Sequence, residues 1–209
     1  MSRDERALSV VPAWVHAVLI AALATQVGVR LAQPVGAPAA SDLPTAPPAQ
    51  ALRLATLGEP QAMARLAMLY LQSFDLGGAN RLPYRELDYG RLVDWLRAIL
   101  ELDPRSEYPL FSAARIYAEV PDPQRSRIML EFIYEEFLRD PNRRWPWLAH
   151  ATLIAKHRLH DLPLARRYAA AIDRFTTSAS VPLWAKHMEV VILEDMNELE
   201  AHITRKPVK

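Results

Sequence analysis

The side chains best suited to chemistry are three histidines in one short stretch, His150, His157 and His160, followed directly by Asp161. Imidazole and carboxylate groups are common metal ligands. On a helix the histidines fall within about 80° of one another around the axis, but His150 and His157 are separated by about 10 Å along it, too far for two ligands of one ion. His157 and His160 alone have an acceptable spacing. We predict solvated or core-capping histidines, no metal and no other cofactor.

Acidic side chains recur in two groups, an arrangement that acid–base catalysis can use. The groups are Glu131, Glu135 and Glu136, then Glu194, Asp195, Glu198 and Glu200. On helices that also carry arginines, such groups are usually solvated faces with pairs four residues apart. Cysteine is absent, and Gly77-Gly78 lacks the Lys-Ser/Thr that follows in a phosphate-binding loop. The sequence therefore predicts no enzyme activity and no small-molecule substrate.

The most distinctive stretch runs from Arg139 to Trp147 and combines arginines with two tryptophans near a predicted helix start. These residue types anchor protein interfaces, although a tryptophan here could instead pack between neighbouring helices while the arginines stay solvated. The candidate partner-binding residues are Arg143, Arg144, Trp145 and Trp147, with Tyr84 and Arg85 from an earlier loop as a second set.

The composition favours a globular protein with protein partners. Apolar residues make up 51% of the chain and charged residues 23%, close to the averages for globular chains. The 25 basic and 24 acidic residues give a net charge of +1, so the strong positive charge of a typical nucleic-acid-binding domain is missing. We expect no nucleic acid partner.

The N-terminal zone, residues 1–31, contains a run without formal charge from Ala7 to Val29. As a helix this run would be about 35 Å long, enough to cross a hydrocarbon core of about 30 Å. We predict a transmembrane anchor through residues 7–29. A cleaved signal peptide is an alternative, because Ala22-Leu23-Ala24 has the form of a cleavage site. A buried amphipathic helix is another, although no side of the run is charged.

Orientation follows weakly from the flanking charges, since Arg3 and Arg6 precede the run and Arg30 follows it. The slight bias and the short tail favour an N-terminus inside, which in a bacterium places the main domain in the periplasm, on the inner membrane. Residues 32–50 are rich in Pro and Ala and predict a semi-extended linker. Nothing in this linker has a pattern that could bury a core.

The third zone, residues 51–209, predicts an all-α domain, because apolar residues recur at three- and four-residue spacing and no alternating run is long enough for a strand. Proline and aspartate mark the ends of the helices. The predicted helices are Glu59 to Phe74, Tyr89 to Leu102, Tyr108 to Glu119, Gln124 to Arg139, Trp145 to Leu159, Pro163 to Phe175 and Val181 to His202. A long polar loop, residues 75–88, separates the first two.

The helices pair in sequence order, and two pairs end alike, at Asp103-Pro104 and 37 residues later at Asp140-Pro141. A period of this length with helical hairpins is typical of a solenoid. The stretch from Leu159 to Ile172 resembles the tetratricopeptide family, whose members often have an aspartate four residues before an alanine, as Asp161 has before Ala165.

This resemblance extends over roughly Leu57 to Ile172. The family's glycine before the aspartate is replaced by His160, and Met129 occupies the place of a small residue. The layout also resembles a group of membrane-anchored helical-repeat proteins of proteobacteria. The resemblance implies a superhelix of helical hairpins with a concave groove, lined mainly by the first helix of each pair, that binds peptides or partner domains.

Together these features predict a membrane-anchored scaffold or assembly factor of the bacterial cell envelope, which holds a membrane-associated protein partner. An accessory structural subunit of a larger membrane protein complex is the alternative.

Overall fold

All regular structure in the described part of the chain is helical, which confirms the all-α prediction. The computed structural model describes residues 12–32, 42–56, 58–74 and 82–205. The chain divides into two compact units, Met1–Ala39 and Ala40–Lys209. In the second unit consecutive helices pack against each other in antiparallel pairs.

The described residues of the first unit form one helix, α1 (Ala13–Ala32), and most of its large apolar side chains are exposed. The exposed set is Trp14, Val18, Leu19, Ile20, Leu23, Val27, Val29 and Leu31. Residues 7–11 of the predicted anchor lie outside the described residues. Across the ranges that the structure describes, no helix combines the length and apolarity that crossing a membrane requires.

The second unit begins with one short helix that precedes the first predicted pair, and its last helix ends at Arg205. In order, its helices are α2 (Ala49–Ala55), α3 (Pro60–Gln72), α4 (Tyr89–Leu102), α5 (Tyr108–Ser112, continued by a π-helical turn, Ala113–Tyr117), α6 (Pro123–Arg139), α7 (Pro141–His157), α8 (Leu162–Phe175), α9 (Leu183–Lys186) and α10 (Met188–Arg205). We call α3, α5, α7 and α9 the first helices, and α4, α6, α8 and α10 the second helices.

Three second helices share one pattern of capping and burial. Asp88, Asp122 and Asp161 stand before α4, α6 and α8, and each carboxylate accepts backbone N–H groups of the first turn. Such caps satisfy donors that have no partner inside the helix. The residues four, seven, eight and eleven positions after each cap are all buried: Leu92, Trp95, Leu96 and Ile99; Ser126, Met129, Leu130 and Ile133; Ala165, Tyr168, Ala169 and Ile172. The three helices therefore bury the same face.

The Asp161 carboxylate also forms an ion pair with the neighbouring helix pair, because Arg127 Nη1 on α6 lies 2.6 Å from its Oδ2. Partial burial favours the neutral form of Asp161. The hydrogen bond from Leu164 N and the Arg127 guanidinium outweigh that effect and lower the pKa of the carboxyl group below its ordinary value. The cap thus serves two purposes, since it starts α8 and ties it to α6.

Several helix bounds differ from the sequence prediction. Helix α4 has the predicted ends, whereas α7 begins at Pro141 instead of Trp145. The Asp140-Pro141 dipeptide ends α6 but also starts α7 at once, because proline fits the first helical turn. The predicted third helix changes to a π turn, in which Ala118 N donates to Ala113 O at 2.8 Å. The predicted seventh helix is divided at His187 into α9 and α10.

Part of the predicted linker packs on the helical unit, so the expectation that no residue in it is buried is wrong. Leu43 is fully buried. The carbonyl groups around it find donors on α4, as Arg91 Nη1 donates to Leu43 O at 2.9 Å and Trp95 Nε1 donates to Pro44 O at 2.8 Å. An extended, proline-rich segment has few backbone partners of its own, and here side chains supply them.

His160, which replaces the glycine expected before Asp161, has a left-handed backbone with φ of 51°. It lies just past the end of α7, where Asp161 N donates to Ala155 O at 2.9 Å. A left-handed residue at this place closes many helices, and glycine adopts the conformation without the steric cost that a Cβ atom brings.

Replacing His160 with glycine should therefore stabilise the fold. We expect His160→Gly to raise the free energy of unfolding by about 1 kcal/mol, or the midpoint of thermal unfolding by about 2–4 °C. Thermal melts followed by circular dichroism measure this. The control, Ala170→Gly in the middle of α8, should lower stability by about 1 kcal/mol. A decrease for His160→Gly as well would contradict a strained backbone at this position.

Candidate partner-binding surface

Aromatic side chains form a continuous row across the first helices of two pairs. The rings of Tyr108 and Phe111 are stacked with their centroids 6.0 Å apart, and the ring of Phe111 meets that of Trp147 edge to face at 5.9 Å. Tyr108 and Phe111 are each 40% exposed, and Trp147 is half-buried. We call these three residues the aromatic strip. Large, rigid and partly wet rings are typical of protein-binding surfaces.

The sequence of α5 explains why the strip faces solvent. Pro109, Leu110 and the small residues at 112–114 are buried, so Tyr108, Phe111 and Arg115 remain on the outer side of the helix. These three positions are separated by three and four residues, which places them on one face. At the other side of the strip, the Gln72 side-chain amide donates a hydrogen bond to the Tyr108 hydroxyl and thereby joins α3 to it.

A cleft of about 320 Å³ lies between α3 and the start of α5, next to the aromatic strip. This volume is at the lower end of the range for ligand pockets. Its lining is mainly apolar and consists of Ala64, Arg65, Met68, Leu69, Gln72, Ser106 and Tyr108. Leu69 and its neighbour Leu66 are exposed. The aromatic strip therefore continues into an apolar cleft on the first pair.

Charges are distributed unevenly between the two kinds of helix. Helix α3, the α5 segment with its π turn, and α7 contain no Asp or Glu within their bounds. Their charged residues are Arg65, Arg115, Arg143, Arg144 and Lys156, together with the histidines of α7. Arg65 and Arg115 are exposed, and neither forms an ion pair with any described residue. The first helices are thus basic within their bounds, and the one exposed acidic residue directly next to a ring of the aromatic strip in sequence is Glu107, which precedes Tyr108.

Arg144, one of the predicted contact residues, lies in the interior and is only 6% exposed. Its Nη1 donates to the buried carboxylate of Glu136 at 2.6 Å and to the Glu136 carbonyl oxygen at 2.8 Å. Its Nη2 donates to Pro104 O at 3.2 Å. Arg139 Nη1 lies 3.0 Å from the other carboxylate oxygen, as an ion contact without hydrogen-bond alignment. Arg144 therefore connects helix pairs, with its guanidinium group directed into the interior.

The other residues of the Arg-Trp stretch occupy different environments. Arg143 is exposed at the rim, where it donates to Arg105 O at 2.9 Å and pairs with Asp140 at 3.3 Å. Trp145 and Trp147 are half-buried and point to different neighbours, because Trp145 meets the ring of Trp184 on α9 at 5.5 Å. Trp147 alone joins the aromatic strip. Trp145 contacts the following helix pair and Trp147 contacts the preceding one. This agrees with the alternative that a tryptophan in this stretch packs between neighbouring helices.

Tyr84 and Arg85 lie at the opposite end of the α5 segment from the aromatic strip. The Tyr84 ring is 6.0 Å from that of Tyr117, the last residue of the π turn, and Arg85 Nε donates to the Tyr84 hydroxyl at 3.2 Å. The described residues therefore do not bring the two predicted sets together. Tyr84 is half-buried against the core, so Arg85 is the more accessible of the two.

The histidines His150, His157 and His160 lie in different environments. His150 Nε2 lies 3.3 Å from a carboxylate oxygen of Glu119, while His157 and His160 are exposed. In the described ranges, no group of three or more His, Asp or Glu side chains is placed to hold a metal ion.

Three important residues of this surface, Arg65, Tyr108 and Phe111, were missed as site residues. Leu110 and Phe111 are both apolar, and periodicity alone does not show which of the two faces inward. The absence of acidic residues from the first helices is the signal that could have found them.

Comparisons of the chain with protein-family models, curated proteins and solved structures give no match.

Neighbouring arginines allow a direct test of the two environments. We expect Arg144→Ala to lower the free energy of unfolding by about 3–5 kcal/mol, because it leaves the Glu136 carboxylate buried without its main partner. Arg143→Ala, at an exposed pair, should cost less than about 1 kcal/mol. Urea unfolding followed by circular dichroism measures both. Adding Glu136→Leu to Arg144→Met should recover part of the loss; equal effects of the two single alanine variants would contradict a buried ion pair.

Proposed function

We propose that this protein is a membrane-tethered scaffold or assembly factor of the bacterial cell envelope, which binds a protein partner on the aromatic strip. The observation that carries the proposal is the contact of Tyr108, Phe111 and Trp147 across two helix pairs. Solvent-exposed aromatic residues rarely form a continuous row without a binding role, because large apolar patches on monomers often mark interaction sites.

The arrangement of helices supports a tetratricopeptide-like architecture. Helices pack in consecutive antiparallel pairs, and the second helices α4, α6 and α8 bury one common face. In solenoids of this kind each pair contacts mainly its neighbours, and the first helices create an extended surface for binding. The aromatic strip lies on two of these first helices, α5 and α7, as a groove-binding mechanism requires.

Attachment to the inner membrane through residues 7–29, with the helical unit in the periplasm, is the second part of the proposal. It is supported by the uncharged run from Ala7 to Val29 and by the exposed apolar side chains of α1. Large exposed apolar patches are typical of surfaces that lipid or another protein covers. Tethering would raise the local concentration of the binding surface for a membrane-associated partner.

Loss of one ring from the aromatic strip should disrupt partner binding. We expect Phe111→Ala to reduce crosslinks between the full chain and its partner in the native host by about tenfold, since central aromatic residues dominate interface energy. Quantitative crosslinking with mass spectrometry measures this. Phe175→Ala is the matched control, because Phe175 is also 40% exposed but lies on the second helix α8. Equal crosslinking by the unmodified chain, the Phe111→Ala variant and the Phe175→Ala variant would refute the aromatic strip as the binding surface.

The membrane attachment has its own test. The full chain should stay in the membrane pellet after carbonate extraction, and a variant that lacks residues 1–31 should appear in the supernatant. Alkaline phosphatase fused after Lys209 should be active, because this reporter folds only in the periplasm. Release of the full chain by carbonate would contradict the anchor, and an inactive reporter beside an extraction-resistant chain would reverse the orientation.

An accessory subunit of a larger membrane complex is the second candidate. Exposed leucines on α2 and α3 favour it, namely Leu54, Leu66 and Leu69. A permanent subunit buries such residues in its complex and aggregates without it, whereas a scaffold remains monomeric. Size-exclusion chromatography of the chain without residues 1–31 separates the two candidates.

A further inference from the structure

We propose that the partner segment is an acidic peptide with a large apolar anchor side chain, which enters the cleft between α3 and α5 while its carboxylates meet Arg65 and Arg115. The inference rests on the proposed function and adds the chemistry of the partner. Three features of the described residues carry it: the size of the cleft, the apolar character of its lining and the one-sided charge of the first helices.

The cleft fits one or two large side chains. Its volume is about 320 Å³, near the lower limit of pockets that bury most of a small ligand. Ala64, Met68 and Leu69 form the wall on α3, and the ring of Tyr108 forms the opposite wall. A leucine or phenylalanine side chain would gain burial there, at about 25 cal/mol per Å² of apolar surface removed from water.

Arg65 defines the polar part of the site. It lines the cleft, it is exposed, and it forms no ion pair with any residue in the described ranges. It is also the only charged residue of α3. A carboxylate next to the apolar anchor would therefore meet one guanidinium without having to displace an existing partner, and guanidinium groups bind carboxylates through two parallel hydrogen bonds.

Arg115 extends the positive charge along the aromatic strip. It stands four residues after Phe111 on the outer side of the α5 segment, and it too has no ion pair among the described residues. The second helices differ, because their arginines pair across the stack, as Arg97 does with Glu135 and Arg167 with Glu131. Complementary charge on an acidic partner would select the first-helix surface over the second-helix surface.

A nucleic acid is the other macromolecule that combines negative charge with flat apolar groups. Duplex or single-stranded nucleic acid is usually bound by many cations that follow the phosphate backbone. Among the described residues, the exposed cations without an ion pair on or next to the cleft and the strip are Arg65, Arg105 and Arg115. Three cations and a partly open apolar cleft fit a peptide with one anchor better than a regular polyanion.

The test uses the full chain in a mild non-ionic detergent and three fluorescein-labelled peptides. The first is Gly-Glu-Asp-Leu-Phe-Asp-Glu-Gly. The second has lysine in place of each acidic residue, and the third has alanine in place of Leu and Phe. Fluorescence anisotropy at low salt should show saturable binding of the first peptide and at least tenfold weaker binding of the other two, because charge and anchor are both required.

Variants locate the binding site. Arg65→Glu should weaken binding of the first peptide about fivefold, through the loss of one exposed ion pair and the repulsion that replaces it. Arg174→Glu, an exposed arginine on the second helix α8, should leave binding within twofold. Circular dichroism melts of both variants establish that each remains folded.

Three outcomes would overturn the proposal. Equal binding of the first and third peptides, with competition by a single-stranded oligonucleotide of the same charge, would indicate general polyanion binding. Equal effects of Arg65→Glu and Arg174→Glu would place the peptide elsewhere. If no peptide binds while Phe111→Ala still abolishes the partner crosslinks, the partner has another chemistry; the acidic-peptide proposal is then rejected and the scaffold function stands. If Phe111→Ala also leaves the crosslinks unchanged, the acidic-peptide proposal and the scaffold function are both rejected.

Discussion

The buried ion pair of Arg144 and Glu136 fixes how one helix pair meets the next. Arg144 lies in the first turn of α7, Glu136 lies near the end of α6, and Pro104 O, the third partner, precedes α5. Because a buried guanidinium is costly unless its donors are satisfied, these three segments have to meet at one point. The starts of α5 and α7 are thereby held close together, and Phe111 and Trp147, each a short distance further along its helix, come into ring contact.

The same edge of the molecule carries further connections between pairs. Arg143 donates to Arg105 O, and the side-chain oxygen of Asn142 accepts the backbone N–H groups of Thr177 at 2.9 Å and Ser178 at 2.8 Å. The loops that end successive pairs are therefore linked in series. These hydrogen bonds are made to backbone groups, so they depend on where the contacted loop lies and not on which side chain it carries. They therefore set the spacing between the helix pairs.

Ion pairs on the second helices act differently. The pairs of Arg97 with Glu135 and of Arg167 with Glu131 are largely exposed, and such pairs contribute little to stability. Their effect is on charge, because they neutralise one surface of the stack. Helix α10 adds an excess of acidic residues, including Glu189, Glu194 and Asp195. A net charge of +1 for the whole chain therefore conceals a basic surface on the first helices and neutral or acidic surfaces elsewhere.

Local signals in the sequence were sufficient for the class of fold and for most helices. Helix α4 has the predicted ends: Asp103-Pro104 predicted its last residue, and the structure shows Asp88 as the cap at its start. Other features depend on contacts between residues distant in sequence. The sequence around Arg144 does not distinguish it from a solvated arginine, because its partners Glu136 and Pro104 O come from other segments. Leu43 lies in a proline-rich segment whose carbonyl groups accept hydrogen bonds from α4. Helix α7 was predicted to begin late, since Asp140-Pro141 was interpreted only as a stop.

The binding surface was the hardest feature to predict, for a physical reason. Sequence periodicity locates the apolar face of a helix, but it does not show which apolar residues stay wet at the edge of that face, as Phe111 does. Average charge is equally uninformative, because a partner responds to the potential at one surface and not to the sum over the chain. The informative quantity is the charge of each helix taken separately. Once the bounds of α3, α5 and α7 are known, the absence of acidic residues from all three distinguishes the first helices from the second.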